Sequence, residues 1–348
     1  MSVQNKSMPY GALRLGKSGL KVSKIILGCM SYGSKGWNEW VIEDQEEANR
    51  HIKYAYDHGI QTFDTANMYS NGLSEVMLGR AIKELQLPRE ELVIMTKLWG
   101  AVAPKYDMNI IGTKTEDYGV INQKGLNRKH IFDSVKASLE RLQVDHIDLL
   151  QCHRFDYDTP IEETMQALDD VVKAGYVRYI GASSCYAYQF HAMQNYAIAN
   201  RLTPFISMQN HHCLVYREEE REMFPTLKML GVGALPWSPL ARGFLTRPLS
   251  AQTKRGKTDK WAETYRTFPG TPEIVNRVAE LAEKKGVSMA QVALGWSLSK
   301  DDVTAPIIGT TSLENLEDVL GALNVELTSD EIAYLEEPYK PVAVWEHV

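Results

Sequence analysis

The chain has 348 residues, 44% hydrophobic and 24% charged, a balance that excludes a disordered chain and a coiled coil. Its 38 Lys and Arg against 44 Asp and Glu give a net charge of −6, which argues against an extended nucleic-acid surface, since that needs a basic face. No apolar run approaches the roughly 20 residues that span a bilayer. Residues 1–10 lack an apolar signal core. Cys29, Cys152, Cys185 and Cys213 are too scattered to form a C-x-x-C pair. The expectation is a soluble, reduced, cytoplasmic protein with no membrane or nucleic-acid partner and no metal.

In chain order, the first feature is Gly11-Ala12-Leu13-Arg14-Leu15-Gly16-Lys17-Ser18, a literal G-x-x-x-x-G-K-S. A phosphate-binding loop of that form needs a buried strand before it and a helix after it. Here the preceding residues are polar, and residues 19–23 alternate as a strand does. Residues 8–24 therefore read as a β-hairpin, with Leu13 and Leu15 on one side and a turn at 17–19. Beyond it, short apolar runs at 25–27, 62–63, 92–95, 147–150, 177–180, 205–208, 232–235 and 304–308 read as buried parallel strands. Between them, residues 45–58, 74–85, 128–142, 161–174, 188–200, 218–230, 272–285 and 313–323 carry apolar residues at helical spacing. Gly59, Gly175, Gly231 and Gly286 follow four of these helices, where a left-handed cap favours glycine. Asp44, Thr159 and Thr271 precede three as N-caps, the latter two with Pro160 and Pro272 in the first turn.

Eight strands alternating with eight helices fit a closed (β/α)8 barrel or an open doubly wound sheet. The count favours the first, an α/β TIM barrel forming one domain over residues 1–348. Two long polar stretches, 99–127 and 243–270, read as loops over an active site or a cofactor.

In such barrels the chemistry sits at the C-terminal ends of the strands. Read in order, those ends carry Asp64, then Tyr69 five residues on, then Lys97, then His153. A free phenol, pKa about 10, is a poor acid at neutral pH. A buried ammonium beside it favours the phenolate. Asp64 would pair with that ammonium, because an unpaired buried charge is costly, and His153 would hydrogen-bond a substrate oxygen. This is equipment for moving a proton to a carbonyl oxygen. None of the four is a strong nucleophile, so the set needs a hydride source, which implies a nicotinamide cofactor. Taken alone, Asp64 and Lys97 also fit a structural ion pair; Tyr69 and His153 at these spacings favour catalysis. His211-His212-Cys213 looks like a metal cluster, but adjacent residues of an extended segment point to opposite sides. It reads as a loop after the sixth strand.

Five stretches now form one pattern. They are Phe63-Asp64-Thr65-Ala66 with Tyr69, Gly72 and Ser74-Glu75; Leu149-Leu150-Gln151-Cys152-His153; Ala174 to Ser184; Trp237-Ser238-Pro239-Leu240-Ala241-Arg242-Gly243; and Ile307-Ile308-Gly309-Thr310-Thr311. On them the chain resembles the aldo-keto reductases, nearly end to end. The Trp-Ser-Pro-Leu and Gly-Thr-Thr forms resemble the fungal and microbial aryl-alcohol dehydrogenase-like and potassium-channel β-subunit-like branches.

The resemblance implies a tetrad of Asp64, Tyr69, Lys97 and His153, with Tyr69 as general acid. It implies cofactor contacts from Gly28, Cys29 and Met30 at the first strand end, and from Asp64, Ser183, Ser184 and Gln209 near the nicotinamide. Trp237 would stack on that ring. Ser238, Leu240 and Arg242 would lie along the pyrophosphate, and Gly309, Thr311, Asn315 and Asp318 at the adenosine end. Arg255 fits either a 2′-phosphate contact or a solvated basic loop. A G-x-G-x-x-G is absent, as the family binds its dinucleotide without a Rossmann fold. The implied reaction is NADPH-dependent reduction of aldehydes or ketones, aromatic or aliphatic, to alcohols, with NAD(H) the alternative cofactor. The alternative function is a nucleotide-binding regulatory or sensor subunit on the same fold.

Overall fold

The computed structural model describes residues 12–251 and 260–347. It opens with an antiparallel hairpin of β1 (Ala12–Arg14) and β2 (Lys21–Ser23), with Leu13 opposite Val22. Gly11 lies outside the described residues. The Ser18 hydroxyl, which a phosphate loop would turn to its ligand, donates to Leu15 O at 2.7 Å inside the hairpin turn, and a strand follows it.

Eight parallel strands follow: β3 (Ile26–Gly28), β4 (Thr62–Asp64), β5 (Val93–Leu98), β6 (Ile147–Cys152), β7 (Val177–Ser183), β8 (Phe205–Gln209), β9 (Gly233–Ala234) and β10 (Ile307–Ile308). They form one sheet in the order β10-β3-β4-β5-β6-β7-β8-β9. The ring closes where Thr304 N–H donates to Ala234 O at 2.9 Å and Ile307 N–H to Pro236 O at 2.8 Å. This is the (β/α)8 barrel, and the open sheet is excluded.

The helices are α1 (Gln45–Asp57), α2 (Leu73–Glu84), α3 (Arg128–Leu142), α4 (Ile161–Lys173), α5 (Ala187–Ala199), α6 (Met223–Leu230), α7 (Lys260–Thr267), α8 (Thr271–Lys285), α9 (Met289–Leu298), α10 (Leu313–Leu320) and α11 (Ser329–Glu336). All eight expected helices are present, though 218–230 begins as a 3-10 turn and becomes α-helical at Met223. Asp44 caps α1 by accepting from Glu46 N–H. The other two expected caps are corrected. Thr159 turns its hydroxyl to Asp156 instead, at 2.6 Å. Thr271 lies inside its helix, and Gly270 takes the cap position with φ 83. Stretch 243–270 is also not all loop, since α7 lies within it. α9 escaped the periodicity because almost every residue of it is buried, leaving no polar face to set a period.

The hairpin plugs the N-terminal end of the barrel. Leu15 and Val22 pack with Ile26, Met95, Leu149, Leu235, Ala305 and Ile307 in one apolar cluster. The opposite end is left for the loops. Among the described residues no helix is long and apolar enough to cross a membrane.

Candidate active site

Inward positions on a strand alternate, so two residues above Met95 stands Lys97, and two above Leu149 stands Gln151. The apolar floor thus gives way to a buried polar layer. Lys97, 1% exposed, uses all three of its N–H donors. Nζ donates to Asp64 Oδ2 at 2.6 Å, to Thr65 O at 2.8 Å and to Tyr69 Oη at 3.3 Å. The other carboxylate oxygen, Asp64 Oδ1, accepts from Gln151 Nε2 at 3.1 Å and Gln209 Nε2 at 3.0 Å. Gln209 Nε2 also donates to Gln151 Oε1 at 3.0 Å, which locks the two amides together. Burial alone would push the Lys97 ammonium down; the charge of Asp64 and the hydrogen bonds to Asp64 and Tyr69 outweigh it and hold its pKa above the ordinary lysine value. Because Tyr69 Oη accepts from Lys97, its own proton is free to point away from the ammonium.

A turn of unusual backbone presents Tyr69. Ser70, Asn71 and Gly72 follow it with φ of 47, 53 and 95, three left-handed residues in a row. Asn71 secures them with its whole side-chain amide. Nδ2 donates to Lys105 O at 2.8 Å and Met108 O at 2.6 Å, and Oδ1 accepts from Ala103 N–H at 3.0 Å. Ser70 Oγ accepts from Ser34 N–H at 3.1 Å. Strain of this kind persists only where the surroundings over-determine it.

Above the polar layer lies a cavity of about 880 Å³. Asp64, Tyr69 and His153 line it together with Gly28, Met30, Ser183 and Gln209. The His153 ring stands edge-on to Tyr69, centroids 5.8 Å apart at 83°. Burial, and then the positive charges of Arg154 and Lys97, hold its pKa well below the ordinary imidazole range. It is therefore neutral at pH 7, able to donate one N–H. The cavity continues past Trp237, Ser238, Leu240 and Arg242 to Gly309, Thr311, Asn315 and Asp318. Ser238, Ala241 and Arg242 are again left-handed, with φ of 52, 47 and 52.

Trp237 is the top of a stack of rings. His211 lies under it at 4.2 Å and 13°, and Tyr216 lies under His211 at 4.3 Å and 11°. One indole face is thus covered and Trp237 still lines the cavity. His211 Nε2 is hydrogen-bonded to Tyr265 Oη at 2.8 Å, whereas His212 Nε2 faces Glu220 Oε1 at 2.8 Å. The two histidines diverge into different parts of the core.

Two of the expected cofactor contacts, Cys29 and Ser184, do not line the cavity. Cys29 is fully buried in the barrel wall, its Sγ near Leu27 O at 3.8 Å, and does not line the cavity. Ser184 is buried behind Trp237 and accepts from its Nε1 at 2.9 Å, so it holds the indole and does not face a ligand. Asp318 lines the cavity, but its carboxylate accepts from Ser288 Oγ at 2.7 Å and Gln291 Nε2 at 2.8 Å. Arg255 lies outside the described residues. Conversely, Gln151 went unnoticed as a site residue, although its inward position two residues before His153 marks it. Also missed were Trp37, Trp40, Arg154, Trp345 and Glu346, which all line the cavity.

The aldo/keto reductase family model matches residues 24–340. A Schizosaccharomyces pombe protein provisionally named an aryl-alcohol dehydrogenase is 50% identical over 344 residues, covering 96% of this chain and 97% of its own. Versiconal hemiacetal acetate reductase of Aspergillus parasiticus is 48% identical over 337 residues, covering 95% and 97%. A Saccharomyces cerevisiae protein, also provisionally named an aryl-alcohol dehydrogenase, is 46% identical over 337 residues, covering 94% and 97%. A closed barrel with a polar layer under a cavity of this size defines a small-molecule enzyme of the barrel class. The chain belongs to the aldo/keto reductase family, oxidoreductases that act on carbonyl and alcohol groups with a nicotinamide cofactor.

Proposed function

We propose that this enzyme reduces aromatic aldehydes and related ketones to alcohols with NADPH. The observation that carries the reading is the hydrogen-bonded chain Asp64–Lys97–Tyr69 at the floor of the cavity, beside a neutral His153. Bound in the long cavity, the cofactor supplies a hydride to the carbonyl carbon. Tyr69 gives its proton to the carbonyl oxygen as negative charge develops there, and Lys97 stabilises the phenolate left behind. His153 donates an N–H to the same oxygen and orients it. Asp64, clamped by Gln151 and Gln209, keeps the ammonium charged and in place.

The walls fit the cofactor. The open face of Trp237 suits a nicotinamide ring. Ser183 and Gln209 lie beside that position. Ser238, Leu240 and Arg242 suit the pyrophosphate, and Gly309, Thr311 and Asn315 the adenosine end. Preference for NADPH rests on Thr311 and Asn315 at the start of α10, with no acid in residues 309–312. Against it stands the Asp318 carboxylate, held on the same wall by the neutral donors Ser288 and Gln291 and still charged. The relatives named for aryl alcohols support an aromatic substrate.

The test is oxidation of NADPH and of NADH with benzaldehyde, at matched ionic strength, together with both dissociation constants. Turnover with a lower constant for NADPH is expected. Tight cofactor binding without turnover of any aldehyde would favour the regulatory-subunit alternative. An equal or lower constant for NADH would reduce the Thr311–Asn315 turn to a helix cap.

A further inference from the structure

One ion pair in the cavity wall has no part in the chain beneath Tyr69. Arg154, beside His153, and Glu346, two residues from the chain end, both line the cavity. Arg154 Nη2 lies 2.5 Å from Glu346 Oε2, and the two side chains are only 13% and 12% exposed. Arg154 Nη1 donates to His153 O at 2.6 Å, which fixes the guanidinium against the site. Its charge is felt there, since it is the largest influence on the His153 imidazole after burial. A pair this shielded keeps the Coulomb strength that surface pairs lose to water and salt.

Glu346 is brought to Arg154 by a built strap. The Trp345 ring packs on His211 at 5.2 Å and on Tyr265 at 5.5 Å. Trp345 N–H donates to Tyr216 Oη at 3.1 Å, and Val342 N–H to Glu218 Oε1 at 3.0 Å. Glu346 itself takes φ 70, a conformation that costs a non-glycine residue free energy, and in it the carboxylate meets the guanidinium. The other basic side chains of the cavity lining are Lys124, Arg242 and Arg247. Six of the seven tryptophans of the chain line this cavity, and Lys124 lies over one of them, Trp99, at 5.3 Å.

We propose that Glu346 is a specificity-determining residue: by neutralising Arg154 it sets the cavity to accept uncharged aromatic carbonyl compounds and to reject those bearing a carboxylate. This rests on the carbonyl-reductase reading above and names its substrate class. An unpaired guanidinium in that wall would bind a carboxylate in bidentate fashion. With Glu346 in place, an anionic substrate meets a satisfied cation and a second negative charge.

The experiment compares two probes of nearly equal shape, 4-carboxybenzaldehyde and methyl 4-formylbenzoate, through the ratio of their kcat/KM values, acid over ester. Glu346→Gln keeps the shape and an acceptor for Arg154 but removes the charge, and the ratio should rise by about tenfold. The double variant Arg154→Leu, Glu346→Leu removes both charges, and its ratio should return to within about threefold of the wild type. A ratio unchanged in Glu346→Gln overturns the proposal, because the pair would then only fasten the strap. An equal rise in the double variant overturns it too, because loosening would explain the gain. Binding of benzoate against benzamide, read by quenching of the tryptophan fluorescence, gives the same ratio without turnover. A protein inert to aldehydes with both cofactors would refute the reductase reading, while this binding ratio would still decide the role of Glu346.

Discussion

The two ends of the barrel are built on the same strands and differ by one inward step. Met95 and Leu149 face the hairpin plug with Leu15 and Val22, while Lys97 and Gln151, two residues later, face Asp64 and the cavity. The lower layer buries only hydrocarbon and sulfur and needs no partners. In the upper layer each polar atom depends on another, and one ammonium holds together an acid, a carbonyl and a phenol. The difference implies a division of labour, in which the lower layer carries stability alone and the upper layer carries chemistry at some cost to stability. Four measurements test that division, in order of expected size.

Tyr69→Phe removes one oxygen from the upper layer and no packing volume. Carbonyl reduction should fall by roughly 10²–10⁴-fold, with cofactor affinity and melting temperature nearly unchanged. Single-turnover rates within a few-fold of wild type would remove Tyr69 from its role.

Lys97→Met should damage both properties. It leaves the Asp64 carboxylate buried without its cation, a loss of about 3–5 kcal/mol in denaturant unfolding. The rate should fall and the rate–pH profile should be displaced. An unchanged profile would make Lys97 a structural residue only.

Leu149→Ala, one step below Gln151, should cost about 2–5 kcal/mol of stability through the cavity it leaves. The kcat of the folded fraction should stay near that of the wild type. A large fall in kcat at full folding would show that the two layers are not separable.

The smallest effect per side chain is on pH dependence. His51, His130 and His211 are buried, and burial first of all lowers each imidazole pKa. The unfolded chain therefore takes up protons below about pH 6.5 that the folded chain refuses. Stability should fall as pH drops from 7 to 5, by up to about 1.4 kcal/mol per pH unit for each ring. A urea midpoint constant over that range would mean that these rings charge within the fold.

The same contrast explains what could be read in the sequence. Asp64, Lys97 and His153 were legible because each follows an apolar run that marks the strand carrying it, and Tyr69 because it stands five residues beyond Asp64. Gln151 was hidden by its chemistry, since an amide announces neither acid nor base, although its alternation with Leu149 and His153 placed it inward. Ser184 was misassigned because its backbone turns left-handed, φ 36, and carries the hydroxyl to the Trp237 indole. Arg154 and Glu346 are 192 positions apart, and no local pattern links such a pair. The barrel emerged from short strands and amphipathic helices; α9, buried on nearly every side, offered no periodicity to find.

The single amide of Asn71 ties the turn that presents Tyr69 to three backbone groups of residues 103–108. That loop also reaches the cavity wall through Ile110 and Ile111. The loop that borders the cavity and the turn that presents the Tyr69 phenol are thus one mechanical part. A loop transplanted from a relative would bring its own backbone path at residues 103, 105 and 108, and with it a different seat for the phenol. On the mechanism proposed above, substrate range and turnover would be inherited together.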